Sequence, residues 1–231
     1  MMNLQQYLKS PIFLKEGAVF IADSHYSKEN INLKTVLFKI KNNEIKTNQI
    51  FLVGDIFHLL LPFKFLIEYN KEIIDLINEL SQTKEVYYFE GNHDFCLDKV
   101  FDKKVKILKE LKKDGICINH GDIYINDKFY RFYTDFIRNK FIMKIVNILS
   151  FNFINNWMFK KLLNKKVKCD EMKKFEYLAG YKIRQYIDCK LIIEGHYHQN
   201  KKYKNYINLP SLYCQNSILQ LKNKEFREIF L

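Results

Sequence analysis

Val86-Tyr87-Tyr88-Phe89, running at once into Glu90-Gly91-Asn92-His93-Asp94, is the stretch on which the fold turns. Four bulky residues of high β-propensity in succession read as a short strand buried on both faces, and the polar cluster behind them marks its C-terminal end. The same arrangement recurs along the chain. Residues 18–22 run into Asp23-Ser24-His25, 50–53 into Gly54-Asp55, 116–118 into Asn119-His120-Gly121-Asp122, and 191–193 into Gly195-His196-Tyr197-His198 one residue later. Between them lie stretches with helical spacing: Leu66, Ile73, Ile74, Ile77 and Leu80 mark one helix, and Val105, Leu108 and Leu111 suggest another. Strands alternating with helices indicate an α/β layered domain. After Leu191 the pattern changes to short strands over 206–209, 218–221 and 226–230. No repeat or Pro/Gly-rich linker divides the 231 residues, which read as a single domain over 1–231.

A chain that is 48% hydrophobic and 28% charged reads as globular, not disordered. Its net charge of +12 reflects either compositional drift or an anionic partner: nucleic acid, phospholipid or a phosphorylated substrate. The five cysteines are odd in number and widely spaced, so the expectation is five unpaired thiols, a reducing compartment and a cytoplasmic protein. Residues 1–15 lack an unbroken apolar stretch and read as no signal peptide. The longest uncharged run, 145–159, holds four asparagines and is too short and too polar to span a bilayer.

One segment, 128–168, stands apart. It carries ten Lys or Arg against one acid, Asp135, and is crowded with phenylalanines and Trp157. Apolar pairs at Phe141/Ile142, Ile145/Val146 and Ile148/Leu149 recur with helical spacing, so it reads as a helical insertion folded over the site as a lid. Cations flanking large aromatics suit an interfacial helix, each cation adding about 1 kcal/mol near an anionic leaflet. The same interleaving suits single-stranded nucleic acid.

The chemistry sits in the strand-end clusters, where open α/β sheets place their sites. Five of the six histidines occupy them; His58 has no matching role. Carboxylates, a carboxamide and imidazoles suit Mn²⁺, Fe²⁺ or Zn²⁺ better than Ca²⁺, and with no cysteine in the set this is not a structural zinc site. Seven ligands suffice for two ions if one carboxylate bridges them, and ions about 3.5–4 Å apart clamp the attacking and leaving oxygens of a phosphoryl group.

The ordered set Asp23-x-His25, Gly54-Asp55, Gly91-Asn92-His93-Asp94, His120-Gly121-Asp122 and Gly195-His196-x-His198 resembles the signature of the calcineurin-like metallophosphoesterases. The resemblance implies two stacked mixed β-sheets flanked by helices. It implies Asp23, His25 and His198 around one metal, Asn92, His120 and His196 around the other, and Asp55 bridging. It makes His93 the general acid, with Asp94 holding its ring. The spacing of 76 positions from His120 to His196, filled by the basic insertion, is similar to the UDP-2,3-diacylglucosamine pyrophosphatases of lipid A synthesis. So are residues 20–23, 52–57 and 91–95. The chain departs from their best-known branch, which has arginine at the place of His93, glutamate at that of His58, and a glycine-rich stretch at that of 209–213.

That closer resemblance implies two divalent ions, most simply Mn²⁺, and cleavage of UDP-2,3-diacylglucosamine to UMP and 2,3-diacylglucosamine 1-phosphate. It also implies a peripheral place on the anionic cytoplasmic face of the inner membrane, with no nucleic-acid partner. Asn92, and by their place in the insertion Tyr130, Arg138, Lys161 and Lys165, are candidate substrate contacts. The alternatives are a soluble metal-dependent phosphodiesterase or nucleotidase, and a binding scaffold on the same fold.

Overall fold

Along β1 (Val19–Ile21) successive side chains point to opposite faces, and both faces are buried. The structure, a computed structural model, describes residues 13–125 and 166–231, with 127, 129, 132, 134, 136, 138, 139 and 161 between them. The first sheet has the order β11-β10-β1-β2-β3-β4, comprising β1, β2 (Gln49–Val53), β3 (Glu85–Phe89), β4 (Val105–Leu108), β10 (Ser217–Lys222) and β11 (Glu225–Phe230). Strands β1 to β4 pair in parallel and β10 joins β1 antiparallel. The second sheet runs β5-β6-β7-β9-β8, from β5 (Glu110–Lys113), β6 (Ile116–Asn119), β7 (Leu191–Glu194), β8 (Lys201–Tyr203) and β9 (Tyr206–Asn208). Its β6, β7 and β9 are parallel and its edge strands antiparallel, so both sheets are mixed, as the family resemblance implies.

Period-two alternation explains why these strands show no polar face. Phe20, Phe51, Val53, Tyr87 and Phe89 face Ile118, Leu191, Ile193 and Ile207 across the gap between the sheets. Val19, Ile21, Ile50, Leu52 and Tyr88 face outward, where α1 (Asn32–Lys41) covers them with Leu33, Val36, Leu37 and Ile40 and α3 (Lys71–Ser81) with Ile73, Ile74, Ile77 and Leu80. A short α2 (Lys64–Tyr69) precedes α3. On the far side, Cys117, Ile192 and Tyr206 pack under Phe175, Ala179 and Tyr186 at and just beyond α4 (Phe175–Gln185). The result is helix, sheet, sheet, helix.

Two expectations need correction. Val105, Leu108 and Leu111 do not share a helix: they lie on β4 and β5, and their three-residue spacing arises where one short strand follows another. Nor are all five cysteines unpaired, which removes the cysteine argument for a reducing compartment. Cys117 joins Cys189 and Cys169 joins Cys214, with Cα–Cα separations of 5.9 and 5.5 Å, and Cys96 stays outside both bridges. The partners are 72 and 45 residues apart, so only the tertiary fold brings them together, the first pair at neighbouring strands and the second between loops. Most of the insertion, including Tyr130 and Lys165, lies outside the described residues.

Candidate metal centre

The parallel strands of both sheets end at one edge, and the motif residues leave it in tight turns. Asp23, His25, Asp55, His196 and His198 all have positive φ, between 41° and 68°. Such conformations strain most side chains, are tolerated best by Asp, Asn and His, and cluster at functional sites. Two glycines are required by the crowding. A Cβ at Gly54 would lie 2.3 Å from His120 Nδ1, and one at Gly91 would lie 2.3 Å from Asp55 Oδ1.

The donor atoms converge as the sequence implies. Asp55 lies at the centre: Oδ1 is 3.4 Å from His120 Nε2, and Oδ2 is 4.0 Å from His25 Nε2 and 4.0 Å from His93 Nε2. His198 Nε2 lies 3.3 Å from Asp23 Oδ1. His120 Nε2 also meets Asn92 Oδ1 at 3.3 Å and His196 Nδ1 at 3.2 Å. The His196 amide donates to Asp23 Oδ2 at 2.8 Å, which joins the two ends of the cluster. Three overlapping groups of possible metal ligands result: Asp23/His25/His198, His25/Asp55/His93 and Asp55/His120/His196.

The tautomers explain why a cation belongs among them. His120, His93 and His198 each place Nδ1 against a backbone carbonyl, of Val53 at 3.2 Å, His58 at 2.7 Å and Lys168 at 2.8 Å. A carbonyl only accepts, so in neutral imidazole Nδ1 carries the proton and the Nε2 lone pair faces the carboxylates. Lone pairs aimed at one another repel unless a cation lies between them. Among the described residues, Asp23 Oδ1 and both His25 ring nitrogens are buried without a hydrogen-bond partner, as ligands awaiting an ion would be. The residues fit divalent metal ions.

Electrostatics say the same. Burial alone would raise the Asp55 carboxyl, but His120 and His93 beside it hold it well below the usual range. Burial would lower His120, yet Asp55 outweighs burial and lifts it to about 10. Burial takes His25 down to about 3, and burial together with His120 takes His196 to about 4. Burial would lower His198 too, but Asp23 outweighs it and raises the ring, so the carboxylates draw positive charge onto the cluster's own histidines. A divalent ion held by these residues would supply that charge in place of the proton.

The partner of the His93 ring differs from expectation. Asp94 does not touch it. Its carboxylate accepts the amides of Asp55, Ile56, Phe57 and Gly91 and the Tyr88 hydroxyl, at 2.6–3.2 Å. Asp94 therefore ties the Gly54-Asp55 turn to the Gly91–Asp94 turn, and burial with the Asp55 charge raises it to about 7 despite these donors. The His93 ring is held by the His58 carbonyl instead, a contact no side-chain pattern announces. Asp23 has a similar unannounced support, its carbonyl accepting the Ser211 hydroxyl at 2.9 Å.

Of the described residues in the insertion, Arg138 reaches the centre. Its Nη2 donates to Asp122 Oδ2 at 2.5 Å and to the Gly91 carbonyl at 2.6 Å, clamping two motif turns. Lys161 is exposed. Phe129, Phe132 and Phe136 are 79%, 69% and 52% exposed, an apolar row at helical spacing, whereas Thr134 among them is buried. Among the described residues no helix is long and apolar enough to cross a membrane.

Solved structures and proteins of known sequence align with this chain to different degrees. A phosphoesterase from E. coli aligns with a TM-score of 0.41 at 13% identity over 92% of this chain and 97% of its own. A mutant cold-active protein tyrosine phosphatase aligns at 0.47 and 14%, over 97% and 81%. A UDP-2,3-diacylglucosamine hydrolase of Wigglesworthia glossinidia brevipalpis is 26% identical over 235 residues, covering 90% of this chain and 92% of the relative. The enzyme of that name from Shewanella baltica is 26% identical over 126 residues, 49% of this chain and 51% of the relative. The sequence profile described as calcineurin-like phosphoesterase matches residues 18–200, which span the whole ligand cluster. This chain belongs to the calcineurin-like phosphoesterase family and is a metal-dependent phosphoesterase.

Proposed function

We propose that the chain hydrolyses the pyrophosphate bond of a lipid-linked UDP-sugar, UDP-2,3-diacylglucosamine, to UMP and 2,3-diacylglucosamine 1-phosphate, using two divalent ions, most simply Mn²⁺. The similarity over 90% of the chain to a UDP-2,3-diacylglucosamine hydrolase carries the substrate, because it extends through the insertion and beyond the ligand motifs. Asp23, His25 and His198 would hold one ion, Asn92, His120 and His196 the other, and Asp55 both, one carboxylate oxygen toward each half. When bound, the ions supply Lewis-acid polarisation of the phosphoryl group and a lowered pKa for the attacking water.

The chain's own residues do the rest. His93 is partly open to solvent, its side chain 26% exposed against 11% for His198 and 4% for Asp55. With Nδ1 fixed on the His58 carbonyl, Nε2 faces Asp55 at 4.0 Å, from where it would carry a proton to the leaving phosphate oxygen. Arg138, with Nη2 committed to Asp122 and Gly91, would lie near the substrate phosphate, alongside Asn92, Tyr130, Lys161 and Lys165. The insertion over 128–168 would act as a lid. The exposed row Phe129, Phe132 and Phe136, with the net charge of +12, supports a peripheral place on an anionic membrane face, the cytoplasmic face of the inner membrane.

The test is hydrolysis of UDP-2,3-diacylglucosamine against UDP-glucose and a generic phosphodiester, with added Mn²⁺. Selective cleavage of the lipid nucleotide upholds the proposal; equal rates on all three would make the chain a general soluble phosphodiesterase. Sedimentation with anionic but not neutral vesicles checks the membrane part.

A further inference from the structure

Behind the His120–His196 half of the centre lies a buried ion pair that the hydrolytic chemistry does not use. Lys182, on the inward face of α4, is fully buried, and so is Glu194 at the end of β7. Nζ lies 3.3 Å from Glu194 Oε2 and 3.4 Å from Oε1, and it donates to the carbonyl of Gly121, the residue after His120. Glu194, two residues before His196, accepts the Tyr206 hydroxyl at 2.8 Å on Oε2 and the Tyr186 hydroxyl on Oε1. Asn119, the residue before His120, donates to the Tyr186 oxygen and accepts the Gly121 amide at 2.8 Å.

The contacts form a closed ring: Lys182, Gly121, Asn119, Tyr186, Glu194 and back to Lys182. It grips the chain on both sides of His120 and just ahead of His196. Burying two charges costs desolvation that an apolar pair would avoid, so such a pair is weak evidence for stability and stronger evidence for fixing geometry. None of the ring's side-chain polar atoms is buried without a hydrogen-bond partner, and the contacts end on the two turns that carry candidate metal ligands.

We propose that Lys182 is a positioning residue, which through Gly121 and Glu194 holds His120 and His196 in their converging arrangement and so sets the affinity of that metal position. This rests on the two-metal reading above. Lys182 touches neither ligand ring, and the position at Asp23, His25 and His198 lies outside the ring of contacts. Loss of the ring would therefore weaken one ion and spare the other, a selectivity that general loosening of the fold would not produce.

The experiment is equilibrium dialysis of the full-length chain against graded Mn²⁺, with bound metal counted per chain and circular dichroism recorded on each sample. Lys182→Met leaves Glu194 buried without its counter-charge and risks misfolding, so Lys182→Met/Glu194→Gln, a neutral pair, is the principal variant. Tyr186→Phe, which opens the ring without removing a charge, is the second. The expected result is two ions bound by wild type, with one of the two weakened by roughly 10–100-fold in both variants and the other unchanged. Lys182→Arg, which keeps the charge, recovers most of the loss. Two ions bound at wild-type affinity by either folded variant overturn the proposal and leave the two-metal reading standing. A wild-type chain that binds no Mn²⁺ overturns that reading, and the proposal with it.

Discussion

The two sheets support their shares of the metal centre by different means. At the ends of β2 and β3, Asp94 gathers four backbone amides and the Tyr88 hydroxyl, all from the same sheet and its turns. At the ends of β6 and β7, the support comes from outside the sheet's own turns. Lys182 reaches in from α4, the Lys168 carbonyl fixes His198, and Cys169 is bridged to Cys214 beside them. Residues 168–182 follow directly on the insertion. Apart from Arg138 on the Gly91 carbonyl, one half of the centre is thus self-contained, while the other depends on chain that returns from the insertion, so a change in that returning chain reaches His120, His196 and His198 before it reaches Asp55 or Asn92.

The largest effect should come where the halves meet. Asp55→Ala removes the carboxylate both share, and turnover should fall by on the order of 10³-fold or more, with Mn²⁺ loss at both positions by metal analysis and an unchanged circular dichroism spectrum. Near-normal turnover would dissolve the shared centre. Next comes the self-contained half. Asp94→Ala strands five buried donors, so unfolding in urea should show a loss of about 3–5 kcal/mol. A loss under 1 kcal/mol would mean the turns hold each other without it.

The pH response sharpens the contrast between protons and ions. With Asp55 lifting His120 from 6.5 to about 10, its proton stabilises the metal-free fold fully below 6.5, and that contribution is lost as pH rises toward 10. Mn²⁺ must displace the same proton, so its affinity should climb by roughly tenfold per pH unit between about pH 6.5 and 8.5, while the metal-free melting temperature falls. A flat affinity over that range would show that no proton is exchanged. The smallest effect is at the bridge. Cys214→Ser frees the segment carrying the Lys168 carbonyl from its tie beside His198, and Mn²⁺ binding there should weaken by roughly tenfold. Cys189→Ser, which opens the other bridge, should leave it unchanged. Equal losses in both would erase the distinction between the halves.

Much of the frame was legible. Residues 50–53 and 86–89 read as buried strands because the parallel strands of a sheet covered on both faces have no polar side, and the structure gives β2 and β3 there. The late strands at 206–209, 218–221 and 226–230 reappear as β9, β10 and β11 with shifted ends. The candidate ligands stood out in the sequence because each follows a strand, and those strands end at the edge where their donor atoms converge. Misreadings came where the signal was short. Val105, Leu108 and Leu111 imitate a helical row across the break between β4 and β5, and β8, Lys-Lys-Tyr at a sheet edge, has no apolar run to announce it. Leu33, Val36, Leu37 and Ile40 did carry a helical spacing for α1 that the strand-end motifs overshadowed.

By itself the sequence determined which atoms could bind metal and that they would meet, since side-chain chemistry and hydrophobic period are local properties written in residue types. The tertiary structure decided how those atoms are aimed. The carbonyls of Val53, His58 and Lys168 set three imidazole tautomers, yet every residue has a carbonyl, so nothing in the letters marks these three. In the same way Lys182 reads as one more surface cation until packing closes over it and leaves Glu194 and the Gly121 carbonyl as its partners. Burial turns a common group into a specific one by removing water as the competing partner.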